Sequence, residues 1–325
     1  MSKLIVYLDQ NVVSNMAKAK FLGDSGLAAK TAPYGSRFDR LSALVENESV
    51  ICAESMFHML ESENVELAAA VQRVLSRLSF GLYFHTPWDI VMFQAFRAAR
   101  LFLALPGDEM PPWQDAFTHD PDEALDCRTI QIGAGRVVLR TTWPAMPRTV
   151  KPTAYMRDRQ AVCGKYLWTD FDARKQQQEN AIIDTLFLNP TDVHGLNIIG
   201  GLHEYWFLHD LPQNRFHDFL NSSELRACPF VSTLSILSAA INCDPKRTAK
   251  PSDAMDTLIL ATVLPYCDAI AVSADLFGLW QQTKLERTFK ARVFSSKESL
   301  VKHFDDWLAT RDSSTQQRAG TVPVM

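Results

Sequence analysis

The chain has 325 residues, 47% of them apolar and 22% charged, with 33 Lys and Arg against 37 Asp and Glu. Such a chain can bury a sizeable core as one large domain or two ordinary ones, and its 13 Gly and 16 Pro exclude a collagen-like or mostly disordered polymer. The formal net charge of −4 leaves no global positive field, so a nucleic-acid partner has to be held by a local patch or a metal site.

The six cysteines (Cys52, Cys127, Cys163, Cys228, Cys243, Cys267) form no C-x-x-C pair, which argues against a zinc knuckle or a disulfide scaffold. No apolar stretch of signal-peptide length opens the chain, and the longest apolar run, 258–272, is broken by Pro265 and Asp268. These features predict a soluble, cytoplasmic protein with no membrane partner.

The first predicted element is the apolar run Lys3–Leu8, which ends at Asp9-Gln10-Asn11 and reads as a strand buried on both faces. Phe38, Leu41, Leu44 and Val45 keep helical spacing. A second short strand follows at Ser49–Ala53, then a helix with Ser55 as N-cap that continues through Phe57, Leu60, Val65 and Leu67. Strand, helix, strand, helix opens a doubly wound α/β fold.

The middle of the chain differs. Phe93–Leu105 is predicted helical and stops at Pro106-Gly107, and Ile130–Ile132 with Arg136–Arg140 predicts a hairpin across Gly133–Gly135. Charge is segregated: seven acids and no Lys or Arg lie between Pro106 and Asp126, and eight bases against three acids between Arg140 and Lys175. The second stretch interleaves Tyr155, Tyr166 and Trp168, which suits either a solvated face or a phosphate-tracking surface. The closing third returns to α/β patterning. A helix opens at Pro251-Ser252-Asp253, strands are predicted at Ala269–Ser273 and Arg292–Phe294, an amphipathic helix at Glu298–Leu308, and a polar tail beyond. The expected organisation is residues 1–81 and 246–309 as two halves of one core, a mostly helical insertion at 82–245, and a flexible tail at 310–325.

Asp9 and Asp275 each follow an apolar strand, where an open parallel sheet gathers its ligands. Asp256 lies early in the helix before the Asp275 strand, and Glu61 lies on the helix after strand two. Carboxylates gathered without Lys or Arg repel one another, and hard-oxygen sites of this kind select Mg²⁺ or Mn²⁺. Asp170-Phe171-Asp172 lacks the hydroxyl or valine that a haloacid-type phosphatase carries two residues on, and His203-Glu204 with His209 has the wrong spacing for H-E-x-x-H. His58, near Glu61, reads either as a packed helix residue or as one that touches the site. Neither a glycine-rich phosphate loop nor a G-x-S-x-G elbow is present.

Leu8-Asp9-Gln10-Asn11, Asp256-Thr257-Leu258-Ile259-Leu260-Ala261 and Ala271-Val272-Ser273-Ala274-Asp275 together resemble the D-x-N, D-x-x-I-x-A and S-x-D segments of PIN-domain nucleases. Glu61 corresponds to that family's acid on the helix after strand two, although Glu54 competes for the position. The resemblance covers about residues 1–67 and 250–300. Gln10 departs from it, standing where a small hydroxyl residue is usual. It implies a doubly wound, mainly parallel PIN-like α/β sheet with a large, mostly helical insertion. It implies Asp9, Glu61, Asp256 and Asp275 as catalytic ligands of one or two Mg²⁺ or Mn²⁺ ions, with Asn11, Ser273 and Asp253 in support; Asp253 and Asp268 serve either the site or as helix and strand caps. The implied activity is metal-dependent endoribonuclease cleavage of RNA. A structure-specific DNA nuclease and a non-catalytic nucleic-acid-binding or scaffold protein are the alternatives. An inhibitor or antitoxin-like protein and a homodimer are the partners to test.

Overall fold

A computed structural model describes residues 3–22, 28–60, 65–106, 116–120, 127–132, 135–140, 166–191, 193–245, 247, 252–295, 304–307 and 309. The strands, in chain order, are β1 (Leu4–Leu8), β2 (Val50–Cys52), β3 (Tyr83–Phe84), β4 (Phe117–Thr118), β5 (Cys127–Ile132), β6 (Gly135–Arg140), β7 (Ala269–Val272) and β8 (Arg292–Ser295). The chain splits into two compact units: 1–84 with 266–278 and 290–325, and 85–265 with 279–289.

The first unit is α/β. Its four-stranded sheet has the order β2-β1-β7-β8, with every neighbouring pair parallel. The unbroken apolar run of β1 fits this central position, because a strand covered on both faces has no solvent side on which to alternate. Leu4, Val6 and Leu8 point to one face. They join a core with Val12, Val13 and Met16 of α1 (Gln10–Ala17), Leu41 and Leu44 of α2 (Ala28–Glu46), and Val71, Val74 and Leu78 of the fourth helix. Tyr7 points to the other face, against Phe84. After β2 the one helix expected through Phe57, Leu60, Val65 and Leu67 is described as two, α3 (Met56–Leu60) and α4 (Val65–Ser79), with 61–64 outside the described residues. The expected final helix falls partly outside the described residues, but 304–307 are helical and Phe304 and Trp307 are buried in this core.

The second unit is mainly helical. Its longer helices are α5 (Pro87–Phe102), α6 (Phe171–Ile183), α7 (Val193–Leu208), α10 (Pro229–Cys243) and α11 (Ser252–Val263), with the short α8 (Phe216–Leu220) and α9 (Ser223–Arg226) between α7 and α10. The Thr86 hydroxyl accepts from the Asp89 N–H at 3.2 Å and donates to the Asp89 carboxylate at 2.7 Å, so α5 starts six residues before the predicted Phe93. The predicted hairpin is present as β5 and β6, paired antiparallel from Cys127↔Arg140 to Ile132↔Gly135. Helix α11, expected with the C-terminal half of the α/β core, groups with the second unit because Leu258 and Ala261 join that unit's core around Trp206, Phe219 and Phe230. The acidic stretch after Pro106 and the basic stretch after Arg140 lie largely outside the described residues. Among the described residues no helix is long and apolar enough to cross a membrane, and Cys52, Cys228, Cys243 and Cys267 are free and buried.

Gly195 sits in the first turn of α7, where a Cβ would come 2.7 Å from Pro190 Cβ and 2.9 Å from the Thr185 carbonyl oxygen. Neither neighbour is the end of a flexible side chain. Gly195→Ala should therefore lower stability by about 1–3 kcal/mol despite alanine's better helix propensity. A urea unfolding midpoint equal to or above wild type would contradict this packing.

Candidate functional site

Chain order along the sheet reverses between β1 and β7, because β1 leads to β2 on one side and β7 leads to β8 on the other. In an open parallel sheet this is where a crevice forms beyond the carboxyl ends of the strands. The register Leu8↔Ala271 brings Asp9 and Ser273 to that edge together. Helix α1 starts at Gln10 and α12 (Ala274–Thr283) at Ala274, so two helix N-termini begin there, and the Ser273 hydroxyl caps α12 by accepting from the Leu276 N–H at 3.3 Å.

The backbone around Asp9 is fixed on every side. Its N–H donates to the Ala271 carbonyl at 2.8 Å, and its own carbonyl accepts from Val12 N–H at 2.8 Å and Val13 N–H at 3.2 Å. The Leu8 carbonyl belongs to the same peptide as the Asp9 N–H and so points the opposite way, toward the β2 side. Strand pairing there ends at Val6↔Cys52, and the Leu8 oxygen is bonded instead by His58 Nε2 at 2.7 Å. The Ser55 N–H donates to His58 Nδ1 at 3.1 Å, which leaves the proton on Nε2 and makes that nitrogen the donor. The Tyr7 ring stacks on the imidazole with centroids 5.1 Å apart, and its hydroxyl lies 3.2 Å from Ser55 Oγ. His58 is 1% exposed, and burial pushes its pKa down to about 4, so it is neutral at physiological pH.

The Asp9 side chain is the unusual member of this group. It occupies the N-cap position of α1 without capping it, and the residue is 5% exposed. Its Oδ2 is buried and has no hydrogen-bond partner. Burial raises its pKa; the Asn11 side chain and the Gln10, Ser273 and Asn11 amides oppose the rise but do not overcome it. These opposing groups are dipoles, not cations. Leaving such an oxygen unsatisfied costs about 1–3 kcal/mol.

The other expected residues divide. Asp275 lies exposed in the first turn of α12, three residues beyond the end of β7, at the same sheet edge as Asp9. Asn11 and Ser273 adjoin Asp9 as described. Asp256 is half-buried on α11, in the second unit. Asp253, also in that unit, is buried in the first turn of α11 and ion-paired with Arg247. Asp268 resolves as a strand cap: its Oδ2 accepts from the Ile5 N–H at 2.8 Å, at the opposite edge of the sheet from Asp9. Glu61 lies outside the described residues. Among the described residues, no three His, Cys, Asp or Glu side chains are grouped so as to hold a metal ion.

Glu54, two residues beyond β2, is the buried acid that the structure does describe. It is 0% exposed, Gln72 Nε2 of α4 approaches both of its oxygens at 3.4 and 3.5 Å, and its backbone is bonded to Leu82 and Phe84. Burial pushes its pKa up to about 7. The Tyr7–Ser55–His58 chain escaped the sequence reading. Its traces are one aromatic residue in an otherwise aliphatic strand and a histidine three residues after the serine that precedes α3. No protein-family model matches the chain, and neither a characterised protein sequence nor a solved structure matches it.

Two outcomes follow from these environments. Asp9→Asn removes a buried charge, so it should raise stability by about 1 kcal/mol near pH 7.5, seen as a higher thermal midpoint; a lower midpoint would contradict the geometry described. Glu54 binds its proton more tightly folded than unfolded, so its contribution is fully present below about pH 4.5 and is lost as pH rises through about 7. The unfolding free energy of wild type minus that of Glu54→Gln should fall between pH 5 and 8, a difference in which His58 and Asp9 cancel. A flat difference would show that Glu54 is not desolvated.

Proposed function

We propose that the chain is a PIN-like, metal-dependent endoribonuclease whose site lies at the carboxyl ends of β1 and β7. The observation that carries this reading is the buried, partnerless Oδ2 of Asp9, held on rigid backbone at the switch point of a parallel sheet. Native structures retain few such atoms, and a carboxylate oxygen without a donor suits a hard cation.

The residues at this edge fit such an ion. Mg²⁺ and Mn²⁺ take oxygen ligands, and Mg²⁺ commonly uses one or two protein carboxylates with water and substrate phosphate completing the shell. Asp9 and Asp275 would hold the ion, with Glu61 as a further acid of this reading; Asp256 belongs to the second unit and is left out of it. When bound, the ion supplies an activated water for hydrolysis of an RNA phosphodiester. Asn11 and the Ser273 amide favour the charged form of Asp9 and keep it available as a ligand. The N-termini of α1 and α12 contribute positive partial charge where a phosphate would approach.

The test is cleavage of single-stranded RNA with Mn²⁺, with single- and double-stranded DNA assayed in parallel. Wild type should cut RNA, and Asp9→Asn should lose at least a hundredfold in rate while staying folded by circular dichroism. Equal activity of wild type and variant would overturn the assignment. Cleavage of DNA alone would identify the DNA-nuclease alternative, and absence of both cleavage and Mn²⁺ binding a non-catalytic scaffold.

A further inference from the structure

We infer that His58 is a positioning residue for Asp9, acting through the Leu8 carbonyl and itself oriented by Ser55 and Tyr7. The inference rests on the proposed function for its consequence but on geometry for its content. The Leu8–Asp9 peptide is gripped at both ends, its N–H by Ala271 at 2.8 Å and its carbonyl by His58 at 2.7 Å. The first grip is ordinary sheet pairing. The second is not, because β2 ends two residues short of what pairing at Leu8 requires and a side chain from α3 supplies the missing donor.

Each link sets the next. The Ser55 N–H fixes which imidazole nitrogen carries the proton, and the Tyr7 ring lies against the imidazole at an interplanar angle of 27°. Nε2–H is thus aimed at one acceptor, and the plane of the Leu8–Asp9 peptide is fixed. That plane sets the direction in which the Asp9 Cα–Cβ bond leaves the strand. Without the grip the peptide can tilt about its remaining bond to Ala271, and a tilt of this kind displaces the carboxylate oxygen from where it would touch the ion. The network is buried and reaches no solvent, which gives it no evident role in contacting a substrate directly.

Two replacements separate the two nitrogens. His58→Asn retains an oxygen that can accept from the Ser55 N–H but is too short to donate to Leu8. His58→Gln carries its amide NH₂ near the position of Nε2 and restores the donor. Mn²⁺ affinity by titration calorimetry and single-stranded RNA cleavage are read well below each variant's unfolding midpoint. His58→Asn should weaken Mn²⁺ binding and lower kcat by tenfold or more with KM for RNA within threefold, and His58→Gln should return both to within about threefold of wild type. A residue that only filled space would lower the thermal midpoint in both variants and leave kcat and Mn²⁺ affinity unchanged in the folded protein. Should His58→Asn fail to fold, Tyr7→Phe carries the test, since it keeps the ring and removes the hydroxyl beside Ser55; at least a twofold loss of kcat is expected. Active wild type with folded His58→Asn, or in its place Tyr7→Phe, within twofold overturns the inference alone. A wild type that neither binds Mn²⁺ nor cleaves RNA overturns the functional reading, and the inference falls with it.

Discussion

A carboxylate held in the interior without a partner for one of its oxygens is the constraint around which the α/β unit is arranged. Water would relieve Asp9 at no cost, but the residue is nearly inaccessible. Its own helix relieves it only in part, through the Gln10 and Asn11 amides and without a side-chain cap bond. The surrounding dipoles come from Asn11, Gln10 and Ser273, and they offset burial only in part. What remains is an electrostatic debt that a divalent cation is suited to cancel.

The rest of the edge keeps that carboxylate in place. Burial of β1 on both faces fixes the strand, pairing with β7 fixes the Asp9 N–H, and α1 takes up the Asp9 carbonyl. His58 then closes the one acceptor that the sheet leaves open. Environment assigns neighbouring groups different protonation behaviour. The imidazole is driven neutral by burial and so can donate from one nitrogen and accept at the other, while Glu54, tied to Gln72, is shifted to titrate near neutrality. A histidine that became charged in this network would present a donor to the Ser55 N–H and break the link it now makes. Neutrality of His58 is therefore part of the geometry, not incidental to it.

Much of the α/β half was legible because its signals are local. An apolar run without alternation marks a central parallel strand, and Lys3–Leu8 and Ala269–Ser273 both carry that mark. The pairing of β1 with β7 was only a condition for Asp9 and Asp275 to converge, since no local pattern specifies which strands so far apart in the chain will lie side by side. The insertion was legible as helical and α5 was found in part, but α7 and α10 were not: they are rich in apolar residues all round, so periodicity does not resolve them. Asp253 and Asp268 show a different limit. From sequence each was either a site residue or a cap; the bond from the Ile5 amide makes Asp268 a strand cap, while Asp253 is paired with Arg247. Buried polar chains such as Tyr7–Ser55–His58 are hardest to foresee, because each residue taken singly has an ordinary explanation.

Crystals grown with Mn²⁺, with data collected at the manganese absorption edge, test the central claim most directly. The account predicts an anomalous peak at the carboxyl ends of β1 and β7, with Asp9 Oδ2 about 2.1–2.3 Å from the ion, close to the spacing of other hard divalent ligands. A fully occupied Mn²⁺ elsewhere, with Asp9 Oδ2 still lacking any partner, would contradict it.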